Sequence, residues 1–195
     1  MELTLHPELW WYLTRATGIT AWVAALGSTL AGLALATRTL GTKPKGPWLL
    51  DVHRGLAGVT LAFTGLHLVA LVADSYVHFG AADLLVPLAS DWKPLAVAGG
   101  VVAMWLFVAV EVSSLAMRRL PKRVWRTIHL SSHGAAVAAT LHAFTAGTDA
   151  GHPLVIGFAI AAQAAAVFMF TYRAAMPRRV ARSAARRPPV AAGSS

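Results

Sequence analysis

The 195-residue chain contains no cysteine. Disulfides, cysteine-held iron–sulfur clusters, thiolate-ligated haem and thiol nucleophiles are therefore all excluded. Charge is scarce too: Asp, Glu, Lys and Arg make up 13% of the residues, where a soluble domain carries about 25%. Acids are the rarer sign, 8 against 17 Lys and Arg, for a net charge of +9. Such a surplus can mark a nucleic-acid binder, but here long apolar stretches separate the basic clusters, and no nucleic-acid partner is expected. What abounds is apolar surface, with 56% of residues hydrophobic and a mean hydropathy of +0.58. An ordinary soluble domain is excluded, and a small polytopic membrane protein is expected.

Crossing a hydrocarbon core of about 30 Å takes roughly 20 mainly apolar residues as a helix. Five stretches meet this length: Thr17–Thr37, Leu49–Ala73, Pro94–Met117, Val124–Phe144 and Pro153–Tyr172. Their unbroken apolar runs predict helices, because lipid leaves no partner for an open strand edge. Breakers fall between them, at Gly41–Pro47, at Pro121 and at Gly151-His152-Pro153. The residues ahead of the first span hold Glu2 and Glu8 but no Lys or Arg before Arg15. A secretory signal needs a basic start, so the span is expected to stay in the mature protein.

Of the 17 basic residues, 15 fall in the first connection, the third connection and the C-terminal segment. The positive-inside bias then predicts an all-α helical bundle with its N-terminus outside and its C-terminus cytoplasmic, in the cytoplasmic membrane. The expected organisation is a transmembrane domain over 1–176, then a basic, Pro- and Ala-rich tail over 177–195 that stays disordered or lies along anionic headgroups.

Eight histidines occur. His6, His78 and His152 fall in outer segments and read as solvated. Five lie inside apolar spans, where ionisable groups mark functional sites by default. His53 and His67 are 14 residues apart on the second span, about 21 Å; His129 and His142 are 13 apart on the fourth, about 20 Å. Both spans run in the same direction, so His53 and His129 share a depth near the cytoplasmic face. His67 and His142 share one near the outer face.

Facing imidazoles suit several metals. Catalytic zinc usually takes a third protein ligand, whereas bis-histidine haem takes two imidazoles and an apolar slot. Gly55, Ala57, Gly58, Ala62 and Gly65 on one span, with Gly134, Ala135, Ala136, Ala138 and Ala139 on the other, would leave such a slot or permit close helix packing. Fourteen positions return His67 to nearly the face of His53, but 13 leave His142 about 140° from His129, which calls for a local winding change or a different approach. His133, one turn beyond His129, is the competitor: a replacement ligand, a donor to a cofactor carboxylate, or an interhelical hydrogen-bonding group.

Three stretches resemble the ferric reductase-like transmembrane domain: Arg15-Ala-Thr-Gly18, His53-Arg-Gly-Leu-Ala-Gly with His67, and Trp125-Arg-Thr-Ile-His129 with His142. The family includes the membrane parts of NADPH oxidases and ferric reductases and the haem-binding subunit of a periplasmic methionine sulfoxide reductase system. The resemblance spans roughly residues 12–173. It implies two b-type haems, an inner one on His53 and His129 and an outer one on His67 and His142, carrying electrons across the membrane. Members with their own FAD- and NAD(P)H-binding domains continue beyond this region. No phosphate-binding glycine motif occurs here, and five spans stand where many relatives have six. The resemblance thus implies a separate cytoplasmic flavin reductase or quinol donor and an extracytoplasmic acceptor. A single-haem form, and a non-redox metal transporter or helix-packing subunit, are the alternatives.

Other polar residues carry expectations of their own. Arg54 and Arg126 adjoin the inner ligands and would pair with haem carboxylates or anchor at headgroups. Arg15 would serve the outer haem or snorkel. Glu111 is expected to ion-pair with Arg54, Arg118 or Arg126, and Gln163 to bond across helices. Trp10, Trp11, Trp48, Trp92 and Trp125 would form an interfacial belt.

Overall fold

The computed structural model describes residues 7–38, 40, 45–74 and 77–175, and among these all regular structure is helical. The elements are α1 (Pro7–Thr37), α2 (Gly46–Ala73), α3 (Ala81–Leu85), α4 (Pro94–Leu115), α5 (Lys122–Ala146) and α6 (Pro153–Ala175). Prolines mark the starts of α2, α4 and α6, and Pro121 caps α5. A ring with fixed φ and no N–H costs nothing in the first turn, where the amide has no helical partner. The segments 1–6 and 176–195, with His6 and the whole of the proposed tail, lie outside the described residues.

The long helices coincide with the five apolar stretches, with two differences. First, α1 begins ten residues before the apolar run, because Trp10 to Arg15 contain no breaker and the hydrogen-bond ladder continues through them. Second, four of the five long helices are apolar enough to cross a membrane: α1, α2, α4 and α6. With 25 residues, α5 is long enough, but His129, His133, His142, Ser131, Ser132, Thr140 and three basic residues in its first two turns dilute its apolar character. The short α3 was not expected. It lies in the α2–α4 connection, where Leu84 is buried and the Trp105 indole donates to the Leu85 carbonyl at 2.9 Å.

Two antiparallel hairpins, α1–α2 and α4–α5, make up the main packing; α6 and α5 also meet α1. The central helix is α1, half of whose apolar stretch is buried, against 11% for α2 and α6. Its inward face is mostly small: Ala21, Ala24, Ala25, Ala31 and Ala34 are buried beside Trp22 and Leu26. Small residues let helix backbones approach closely, and where the surroundings are apolar, dispersion at short range is the main attraction left. Trp22 and Leu26 meet Ala136 of α5 and Ala159 and Ala162 of α6. A polar knot ties the same three helices. The Trp22 indole and the Gln163 amide both donate to Thr140 Oγ1, at 3.0 and 2.9 Å, and the Thr140 hydroxyl donates to Ala136 at 2.8 Å. Gln163 thus makes the interhelical bond expected of it.

Outside, the bundle is covered in large apolar side chains. Val69, Val72, Leu95, Leu115, Leu154, Ile160 and Phe168 are all more than 60% exposed. In water such a coat would be unstable; in lipid it faces its own kind. The protein is a helical membrane protein.

Candidate functional site

The first link runs from glycine to histidine across each hairpin. The His67 ring lies against Gly18 of α1, 3.0 Å from where a Cβ would stand, and the His53 ring lies against Gly32 at 3.1 Å. Because α1 and α2 are antiparallel, glycines 14 apart on one helix meet histidines 14 apart on the other. In the second hairpin, His142 lies 2.7 Å from the Cβ position of Gly100. A side chain at Gly100 would collide with the imidazole, and one at Gly18 or Gly32 would crowd it.

Each ring also reaches the carbonyl four residues before its glycine. His67 Nδ1 donates to Thr14 at 2.8 Å, His53 Nδ1 to Ser28 at 2.8 Å, and His142 Nδ1 to Ala96 at 2.7 Å. A carbonyl only accepts, so Nδ1 must carry the proton, which in the neutral ring leaves the lone pair on Nε2. That is the tautomer, and the outer hydrogen bond, of a metal-binding histidine. The unit is therefore carbonyl i, glycine i+4 and an imidazole seated over both, built three times. At the fourth position Ser114 replaces the glycine, and its hydroxyl is 3.5 Å from His129 Nδ1. His129 is held instead by stacking on Trp125, with centroids 5.1 Å apart and planes 22° apart.

The pairs form as their depths required. The His53 and His129 rings lie 6.0 Å apart between centroids. His67 and His142 line one largely apolar cavity of about 310 Å³, with Thr60, Thr64, Leu68, Met104 and Phe107 among its walls. The angular misfit between His129 and His142 needs no change of winding, since α5 is an unbroken α-helix. Both rings meet α4, one at Ser114 and one at Gly100. His133 does not join the His53 pair. Its Nδ1 donates to Leu130 of its own helix at 3.1 Å, and its ring faces Phe170 of α6 at 5.6 Å, so it is not the interhelical donor expected.

Two further expectations are corrected, close packing at four glycines and the ion pair of Glu111. Gly55, Gly58, Gly65 and Gly134 are exposed, and a Cβ on any of them would meet nothing within 4 Å. They do not pack helices closely, whereas the open space above them is compatible with a slot; Gly18, Gly32 and Gly100 are the glycines that touch histidine rings. Arg15, which lines the cavity with His67 and His142, has a partner: its guanidinium grips both carboxylate oxygens of Asp149 in the α5–α6 turn. It also lies over the Trp11 ring at 5.0 Å. This pair holds the Asp149 carboxyl below the usual carboxylate range, chiefly through the hydrogen bonds from Arg15. Glu111 makes no ion pair among the described residues, and Arg54, Arg118 and Arg126 are all exposed.

Three buried side-chain polar atoms among the described residues lack a hydrogen-bond partner: Thr14 Oγ1, Trp125 Nε1 and His133 Nε2. Native proteins leave few such atoms, and each calls for an explanation. All three adjoin the histidine pairs. The Thr14 carbonyl holds His67, Trp125 stacks on His129, and His133 is one turn along α5. No group of three or more His, Asp or Glu comes together among the described residues, so these side chains do not form a three-ligand metal cage. The donor set is two imidazoles per site.

The chain matches no family model, no curated protein and no solved structure.

Proposed function

We propose that this protein is a b-type di-haem electron carrier of the cytoplasmic membrane, similar to the ferric reductase-like domain. His53 and His129 would hold the inner haem, His67 and His142 the outer. One observation carries the reading: the imidazole seat is built three times, each time forcing Nδ1–H and presenting a bare Nε2. Hydrogen bonding alone would not need a glycine beneath three of the four rings. The unpartnered polar atoms beside both pairs fit a bound group that carries its own polar edges.

When bound, haem supplies one-electron chemistry. The chain's own residues supply the rest. The carbonyls of Thr14, Ser28 and Ala96 orient the ligands and raise their basicity. The alanine-rich contacts between α1, α5 and α6 and the outer apolar coat keep water from the bundle. In this reading α5 spans the membrane despite its polar residues because His129 and His142 face α2 and α4, and His133 faces α6, instead of lipid. The arginine-rich end faces the cytoplasm and receives electrons from a separate flavin reductase or quinol. The Arg15–Asp149 end faces outward, toward the acceptor.

The test is a pyridine haemochrome count on detergent-purified protein, with oxidised and dithionite-reduced spectra. About two b-type haems per chain are expected, falling to about one in either His67→Ala or His142→Ala. No haem after expression with added precursor would sink the reading and leave a transporter or packing subunit.

A further inference from the structure

We infer that the Trp125 indole N–H binds a carboxylate of the group held between His53 and His129, an inference that rests on the haem reading above. Trp125 was expected only to sit in an interfacial belt. Instead its ring stacks on His129, and its Nε1 is buried without a partner. An indole nitrogen can only donate, so what satisfies it must be an acceptor. Leaving it unpaired costs the full desolvation of the N–H. Lys122, Arg123 and Arg126 lie within the same turn or the one before it, so the field there favours an anionic acceptor over a neutral one. The histidine and the tryptophan are four residues apart on one helix face. A group ligated by the first therefore brings its near edge to the second, at the cytoplasmic end of the helix.

The two sites are not equivalent in this respect. Beside the outer pair, Arg15 is neutralised by Asp149, the Lys93 ammonium is taken up by the Thr145 carbonyl and lies over the Trp92 ring, and the unpartnered atom is a hydroxyl, Thr14 Oγ1. The inner group thus has a dedicated N–H donor, and the outer group does not.

The experiment measures haem release to excess apomyoglobin from wild-type and Trp125→Phe protein. Each is loaded with protohaem or with its dimethyl ester, whose carboxylates are masked. Phe keeps the stacking ring and removes only the donor. With protohaem, the inner release phase of Trp125→Phe should be about ten- to hundredfold faster than wild type, as expected for an N–H bonded to a charged group, with the outer phase unchanged. With the ester, the two proteins should coincide. Within wild type alone, esterification should speed the inner phase, a comparison that survives if the variant folds badly. Equal release of protohaem from both proteins, or an equal acceleration with both haems, would overturn the inference. Wild-type protein that binds no haem would instead overturn the function on which it rests.

Discussion

At the scale of single residues, the absence of a side chain does as much as its presence. Gly18, Gly32 and Gly100 leave room for an imidazole, and the carbonyl one turn earlier then sets its tautomer. Gly100→Ala should displace His142, with an overpacking cost of about 1–3 kcal/mol, and lower the haem count by about one. Gly58→Ala, whose Cβ meets open space, should leave the count unchanged; the haemochrome assay separates the two. Asp149 gives the pH dependence. Its folded-state carboxyl lies below the usual range because Arg15 bonds its ionised form. The pair therefore stabilises fully above the unfolded carboxylate value, and that contribution disappears as pH falls through the lower folded value. Asp149→Asn should lower the melting temperature in detergent at pH 7, and the gap from wild type should close in strong acid. A gap that persists there would show that the pair's charge is not what stabilises.

Among the elements, α5 is where composition and structure part company. Its apolar run was readable, but its membership of the bundle depends on partners. Three helices converge on Thr140, whose oxygen accepts from both Trp22 and Gln163. Thr140→Val removes that acceptor and strands two donors, each worth about 1–3 kcal/mol when left buried and unpaired. At about 2–4 °C per kcal/mol for a chain of this size, thermal unfolding should show a fall of several degrees, with Thr140→Ser near wild type. At the far end of the bundle, Arg173 donates to the Ala36 carbonyl at 2.9 Å. This basic side chain, in the last turn of α6, satisfies one of the free carbonyls at the end of α1. Hairpins held at both ends can keep histidine-bearing faces in register over four turns, which a loose pair of helices could not.

For the whole molecule, the distribution of basic residues predicts one orientation, and the lack of cysteine makes it easy to test. A single cysteine placed at Val86, in the α3–α4 turn, should react with a membrane-impermeant maleimide added to intact cells. One placed at Arg119, between α4 and α5, should react only after lysis; the reverse pattern would invert the topology. The sequence alone determined the helical class, the membrane setting, the long helices to within a few residues at most ends and the pairing of histidines by depth. It could do so because apolar length, proline position and the 1.5 Å rise are local quantities. It did not reveal which glycines matter, that Arg15 is taken by Asp149, that Glu111 forms no ion pair among the described residues or that Trp125 stacks on His129. Those facts depend on which faces of different helices meet. A glycine facing lipid and a glycine beneath an imidazole are identical along the chain, and only the antiparallel register of two packed helices distinguishes them.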